Sequence, residues 1–221
     1  MSIDWELVGS SLEPTVTGAV TGTIPLALTS FAAGLVIALV VALMRLSRVR
    51  PVAGLARLYV SVIRGTPLLV QLFVIFYGLP SIGVVIDPWP SAIVAFSLNV
   101  GGYAAEVIRA AILSVPKGQW EAAHMIGMSH RLALRRIILP QAARVSVPPL
   151  SNTFISLVKD TSLASLILVT ELFRRAQEIA AFSQEFMVLY LEAAVVYWVV
   201  CLFLASGQSM LERRLDRYVA H

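Results

Sequence analysis

Charged residues are scarce in this chain of 221 residues. Asp, Glu, Lys and Arg together make up 14% of it, whereas apolar residues make up 58%. A soluble domain carries about 25% charged residues, and the charges here lie in short groups between long apolar runs such as 32–44 and 195–205. A membrane-spanning helix needs about 20 mostly apolar residues. The lack of charge therefore excludes an ordinary soluble domain and predicts an all-α polytopic membrane protein.

Cysteine is almost absent, and the single Cys201 excludes both an intrachain disulfide and a cysteine-based metal cluster. The sequence also lacks the G-x-x-x-x-G-K-[ST] pattern, because Gly118 follows Lys117 and Asp160 follows Lys159. That pattern supplies the backbone cradle and the lysine that hold nucleotide phosphates. No His, Cys and carboxylate residues have the spacing of a metal site. We therefore expect a chain that is not an enzyme and holds no nucleotide or metal itself.

The apolar runs predict about five spans within a single transmembrane domain covering residues 1–221. We place the spans at 19–44, 65–86, 90–112, 145–170 and 187–208. A polar solute crossing between so few helices must still be shielded from lipid, where unsatisfied polar groups cost several kcal/mol each. Two copies of the chain, or this chain together with a relative, would complete the pathway, and an identical pair related by symmetry is favoured.

The basic residues are distributed unevenly between the predicted loops. They follow the first and third spans and recur in the tail, as in Arg45, Arg131, Arg213, Arg214 and Arg217. The N-terminal segment has three acidic residues and no basic one, and only Arg174 and Arg175 fall on the opposite side from the other arginines. The positive-inside rule then places the N-terminus outside and the C-terminus in the cytoplasm. This placement explains the net charge of +4 without a nucleic-acid partner.

The longest segment between spans covers residues 114–140. It predicts a short helix over 119–126, with Glu121 near its start and a small face made by Ala122 and Ala123. Gly127 suits the left-handed stop of that helix, and Ser129 can cap the next one. That second helix is expected to end at Pro140. From the residues alone, the segment is either an amphipathic element lying on the membrane or a helix that docks onto a partner.

The spacing of this segment resembles a known motif. Glu121-Ala122-Ala123 is followed after three residues by Gly127, and after nine more by Ile137-Ile138-Leu139-Pro140. This pattern is similar to the EAA loop of ABC importer permeases. Arg64-Gly65-Thr66-Pro67 and the run 139–162 resemble the polar amino-acid group of that family, with the L-cystine permeases as the most similar subgroup.

The resemblance implies several partners and a fold. The fold is that of the methionine-type importers, and the loop 114–140 is the coupling helix that docks into an ATPase subunit. Two ATPase subunits per complex bind the ATP and Mg²⁺, and an extracytoplasmic amino-acid-binding protein delivers the solute. The chain is then expected in the cytoplasmic membrane as a multi-pass permease surrounded by lipid.

The fourth predicted span carries an unusual set of polar residues. Pro148 and Pro149 are expected to break its helix, and the polar residues Asn152, Thr153, Ser156 and Asp160 follow them. Broken helices and polar residues at membrane depth are tolerated where they line a cavity. A zwitterionic amino acid needs an acceptor for its ammonium group, which Asp160 provides, and donors for its carboxylate.

Each of these assignments has a plainer alternative. Asp160 and Lys159 would then only orient the helix at the outer interface. Asn99, in the middle of the third span, lines the pathway or ties helices together. Glu106 and Arg109 are expected to form an ion pair along one helix rather than a gate.

The substrate is inferred from the resemblance as well. In related permeases, the position of Thr153 is acidic in some members that carry cationic amino acids. A threonine there fits a neutral or doubly zwitterionic substrate, and L-cystine is our first choice. The rival functions are an ion-gradient-driven secondary amino-acid transporter and a membrane enzyme.

Overall fold

The computed structural model describes residues 5–216, so that Arg217, one of the tail residues used to orient the chain, lies outside the described residues. Residues 5–216 form eight helices and no strand. The helices are α1 Trp5–Arg45, α2 Arg50–Gly65, α3 Leu68–Ile82, α4 Pro88–Ser114, α5 Lys117–Met125, α6 His130–Ile167, α7 Leu172–Ser183 and α8 Phe186–Asp216.

Three of these helices, α1, α4 and α8, are long and apolar enough to cross a membrane. Two further candidates are bent pairs: α2 and α3 meet at 106°, and α6 and α7 meet at 47°. Counting each bent pair as one span gives up to five. The predicted all-α polytopic membrane fold is confirmed.

The structure adds a helix where the sequence suggested only a basic loop. Helix α2 is amphipathic: Ala53, Ala56, Val60 and Ile63 are buried. These apolar residues recur every three or four positions, which places them on one face of a helix. The bend at Thr66 lies between α2 and α3, at the start of the second predicted span.

Prolines shape several helices without ending them. The helix runs through Pro25, Pro80 and Pro140. Each proline is preceded by five residues that adopt the wider π-helical turn: Ala19–Thr23, Val74–Gly78 and Leu134–Ile138. A proline has no N–H and its ring clashes with the carbonyl four residues earlier. That carbonyl belongs to Thr21, Phe76 or Arg136, in each case within the π-turn. A wider turn relieves the clash.

Two proline predictions are therefore wrong. Pro140 does not stop the helix, because the π-turn Leu134–Ile138 precedes it. Pro148 and Pro149 do not break the helix either, since it continues from Leu139 to Asp160. The chain bends later, at Leu168, which has a left-handed φ of 64°.

The core lies between α1, α4 and α6. Its largest fully buried side chains include Phe96, Leu26 and Leu72. The approach of α1 to α4 is close enough that a Cβ atom on Gly34 would lie 2.6 Å from the Cβ atom of Val100. Close helix packing of this kind requires small residues at the contact.

One carboxylate also joins α1 to α4. Glu106 accepts hydrogen bonds from Arg109, at 2.6 Å, and from Arg45 at the end of α1. The predicted ion pair within α4 is confirmed, and Arg45 is the additional partner that the sequence pattern did not indicate. The carboxylate charge thus balances part of the charge of both arginines.

Candidate functional site

A cavity of about 410 Å³ lies where the α2–α3 bend faces α4 and α6. All five residues that we predicted along the pathway line it: Asn99, Asn152, Thr153, Ser156 and Asp160. The remaining lining residues are Thr66, Pro67, Leu68, Val100, Tyr103 and Leu157. Pockets for small molecules commonly enclose about 300–1,000 Å³, so a single amino acid fits within this volume.

Helix α6 supplies one polar wall of the cavity. Thr153, Ser156 and Asp160 recur at intervals of three and four residues, which places them on one face of the helix. The hydroxyl of Thr153 donates to the carbonyl oxygen of Pro149 at 2.9 Å. The side-chain oxygen of Asn152 accepts from Gln208 of α8 at 3.2 Å. The wall therefore presents a carboxylate at one end and neutral hydrogen-bonding groups along the rest.

The opposite wall depends on Gln71. Its side-chain nitrogen donates to the carbonyl oxygen of Ile63 at 2.8 Å and to the hydroxyl of Thr66 at 2.9 Å, across the α2–α3 bend. Its side-chain oxygen accepts from Asn99 at 3.1 Å. Asn99 thus ties α4 to α3 and also lines the cavity, and its place on the pathway stays a prediction.

Lys159 and Asp160 line different cavities although they are neighbours in the chain. Asp160 lines the cavity just described, whereas Lys159 lines a smaller one of about 240 Å³ together with Phe173 and Tyr190. The two charges therefore do not act as one zwitterionic pair facing a common ligand. Of the two, Asp160 is the residue placed to meet a solute in the larger cavity.

Sequence reasoning missed the part of the cavity that comes from the bend. Tyr103 lines the cavity, and the guanidinium carbon of Arg64 lies 5.5 Å from the centre of its ring. Thr66 and Pro67 were noted only as part of a resemblance. The signal available was the Thr66-Pro67 pair, because the residue before a proline avoids helical geometry.

A second site is the segment 114–140. Gly127 has a φ of 80°, and the hydroxyl oxygen of Ser129 accepts from the backbone N–H of Leu132. The predicted helix stop and helix cap are therefore confirmed. The helix begins at Lys117, two residues earlier than expected. Glu121 thus lies in its second turn rather than at its start.

The two alanines of this segment have different surroundings. Ala122 is exposed, but Ala123 is buried within the chain, with 1% of its surface accessible. The prediction that both form a face for a partner is therefore wrong for Ala123. The exposed side of α5 carries Glu121, Ala122 and Met125, of which Met125 is 88% exposed.

Comparison with known proteins supports the same interpretation. The family model for the inner membrane component of binding-protein-dependent transport systems matches residues 33–217. The L-cystine transport system permease protein TcyB of Bacillus subtilis (strain 168) is 60% identical over 220 residues, covering 99% of this chain and 94% of that protein. The probable amino-acid ABC transporter permease protein YckA of the same organism is 40% identical over 223 residues, covering 99% of each chain.

Solved structures give the same fold. A crystal structure of an amino acid ABC transporter with histidines contains a chain with a TM-score of 0.91 and 35% identity, covering 97% of this chain and 100% of that one. An inward-facing MetNI methionine ABC transporter gives a TM-score of 0.69 at 19% identity, covering 97% and 99%, and shows the shared fold alone. These matches exclude the secondary transporter as an alternative. The chain belongs to the inner membrane components of binding-protein-dependent transport systems and is a multi-pass permease subunit of an ABC-type importer.

Proposed function

We propose that this chain passes a polar amino acid, L-cystine, across the cytoplasmic membrane. The observation that carries the proposal is the cavity in which Asp160, Asn99, Asn152, Thr153 and Ser156 meet. Asp160 is the acceptor for the solute's ammonium group, and the amides of Asn99 and Asn152 are the donors for its carboxylate. The 60% identity with an L-cystine permease supports the choice of substrate.

The proposed complex contains two copies of this chain. Asn152 and Ser156 line the cavity yet are exposed in the single chain. Polar side chains facing lipid are costly, and a second permease copy would cover them. The N-terminus is proposed to lie outside, where a binding protein delivers the amino acid, and the C-terminus to lie in the cytoplasm.

Coupling to ATP is proposed to run through α5. Helix α5 ends with Met125, and Ile126 follows it, 88% and 76% exposed respectively, beside Glu121 and Ala122. Large apolar side chains exposed together indicate a surface that binds a partner. Two ATPase subunits, which hold the ATP and Mg²⁺, would dock here and move the helices when they close. A ligand shifts such an equilibrium only if it binds the two states with different affinity.

The direct test combines purification with transport. The tagged chain is purified in mild detergent from a strain in which it is the only importer of its substrate, and companion proteins are identified by mass spectrometry. We expect an ATPase subunit with a phosphate-binding loop to accompany it, and ATP-dependent uptake of labelled cystine. Uptake competed by a different amino acid would refute the substrate alone. Uptake that continues without any ATPase would refute the whole proposal.

Substitution of Gly127 should uncouple ATP hydrolysis from uptake. Gly127→Val places a branched residue at a φ of 80°, which costs about 1–2 kcal/mol of backbone strain. An added Cβ would have no other atom within 4 Å, so the strain stays local and the helices should fold. We expect cystine uptake to fall about tenfold while ATP hydrolysis continues.

The matched control for this prediction lies in α5, the helix that ends two residues before Gly127. Gly118→Val also adds a side chain where no atom lies within 4 Å, but at a position without a positive φ. Uptake and hydrolysis should stay coupled in that variant. Equal coupling in the two variants would contradict the role given to the turn at Gly127.

A further inference from the structure

A second, larger cavity of about 710 Å³ lies at the end of the molecule that carries the 114–140 segment. Its walls come from the last turns of α1 and α4 and from the first turns of α5 and α6. Helices α1 and α4 are two of the three that are long and apolar enough to cross a membrane. In the orientation proposed above, both helices end on the cytoplasmic side, so we place the cavity near the level where the hydrocarbon core meets the lipid headgroups.

The residues that line this cavity include an apolar set and a cationic set. Leu43, Leu46, Ile112 and Leu113 supply apolar surface. Three cationic side chains also line the cavity: Arg48, Lys117 and Arg131. None of the residues lining it is acidic. The lining thus combines apolar surface with three cations.

The three cations have no ion-pair partner among the described residues. The structure forms four ion pairs there, and these involve Arg45, Arg109, Arg174 and Arg175 instead. Glu106, the carboxylate at the ends of α1 and α4, is already shared by two arginines. Three cations with no acid of their own attract an anionic ligand.

An aromatic pair adds to the same wall. The rings of Trp120 and His130 stack with their centres 4.7 Å apart, and both residues line the cavity. Tryptophan is enriched where membranes meet water, because its ring is apolar and its N–H is polar. Trp120 is thus suited to lie beside a headgroup.

The cavity is separate from the surface proposed for coupling. Lys117 and Trp120 of α5 line the cavity, whereas Glu121 and Met125 do not. A partner on the exposed side of α5 would therefore leave the cavity available.

We propose that this cavity binds one anionic phospholipid, with the headgroup phosphate on Arg48, Lys117 and Arg131. The acyl chain would lie along Leu43, Ile112 and Leu113. Basic pockets between helices at a membrane surface bind anionic headgroups. The apolar residues that line the same cavity favour a lipid over a soluble phosphate. A bound lipid would hold α5 against the ends of α1 and α4.

The test measures lipid binding to the complete permease complex. The complex is stripped of lipid in detergent, phosphatidylglycerol or phosphatidylcholine is titrated in, and bound lipid is counted by native mass spectrometry. We expect phosphatidylglycerol to bind much more tightly than phosphatidylcholine. The combined change Arg48→Gln, Lys117→Gln and Arg131→Gln should weaken phosphatidylglycerol binding about a hundredfold, because each basic residue near a headgroup contributes roughly a factor of five and the three factors multiply.

A control variant removes the same charge elsewhere on the same side. Arg57→Gln, Arg135→Gln and Arg136→Gln change three exposed arginines that do not line the cavity, and phosphatidylglycerol binding should stay within about twofold of the unchanged protein. Equal losses in the two triple variants would overturn the proposal. So would displacement of the lipid by millimolar inorganic phosphate, since the site would then hold a soluble anion. The single change Lys117→Gln, at an exposed position, provides the comparison if the triple variant does not yield a monodisperse complex.

Discussion

Gly22→Ala is expected to destabilise the folded protein by about 3 kcal/mol or more. A Cβ atom at Gly22 would lie 2.6 Å from the Cα atom of Glu171 and 2.6 Å from the carbonyl oxygen of Thr170. Both are backbone atoms, so no side-chain rotation can relieve the clash, and α1 must separate from the start of α7. The measurement is the thermal midpoint of the purified chain in detergent, together with the yield of monodisperse protein.

Gly54→Ala is the matched control for this change. Gly54 lies in α2, and an added Cβ would have no atom within 4 Å. Alanine is favoured over glycine in a helix by about 1 kcal/mol, so the midpoint should stay the same or rise. If both variants unfolded at the same temperature, the close approach at Gly22 would be refuted.

The large effect at Gly22 follows from what the close approach holds in place. The carboxylate of Glu171 is fully buried. It accepts hydrogen bonds from the hydroxyl of Tyr197 at 2.7 Å, from the hydroxyl of Thr23 at 3.3 Å and from the backbone N–H of Arg174 at 2.7 Å. Burying a charge without such partners is very costly. Moving α1 away would disturb the contact with Thr23 and expose this network.

The sequence indicated the close approach but not its partner. The Gly18–Gly22 spacing is typical of closely packed helices, and in the structure both glycines lie close to Glu171. The sequence around Glu171 shows only a carboxylate followed closely by Arg174 and Arg175. The burial of Glu171 against α1 depends on the bend between α6 and α7. Such a bend arises from tertiary packing and cannot be predicted from the pattern of hydrophobicity along the chain.

The side of the cavity that α6 forms could be predicted from the sequence of that helix alone. Asn152, Thr153, Ser156 and Asp160 stand out because polar residues are rare within an apolar span. The Thr66 and Tyr103 side of the cavity was missed, because it needs the 106° bend between α2 and α3. Which helices meet at a bend depends on packing between them rather than on the residues at the bend alone.

Turn chemistry was predictable and proline chemistry was not. Gly127 and Ser129 each act within a few residues of the chain, so their roles could be assigned from sequence. The prolines at 140, 148 and 149 were expected to end helices, as they do in isolated segments. In the folded chain, a π-turn precedes Pro140, and the helix continues through Pro148 and Pro149.

Asp160→Asn is expected to reduce cystine uptake about 10- to 100-fold while leaving the amount of folded protein unchanged. Hydrogen bonds to a charged group contribute about 1.5–3 kcal/mol, and every 1.4 kcal/mol corresponds to a factor of ten in binding. The amide keeps the shape of the side chain and removes the charge that would hold the solute's ammonium group. The measurement is initial uptake of labelled cystine over a range of concentrations in cells with equal amounts of the permease.

Two control variants separate this role from a general effect of charge. Glu185→Gln removes a carboxylate at an exposed position that does not line the cavity, and Lys159→Gln changes the neighbour that lines a different cavity. Both should transport at nearly the unchanged rate. If Asp160→Asn transported normally while Lys159→Gln failed, Asp160 would only orient α6, and the ammonium site would lie outside the cavity described here. A loss of uptake confined to Asp160→Asn would instead show that the solute binds against α6. The binding position would then lie at Asp160, beyond Thr153 along the polar face of that helix.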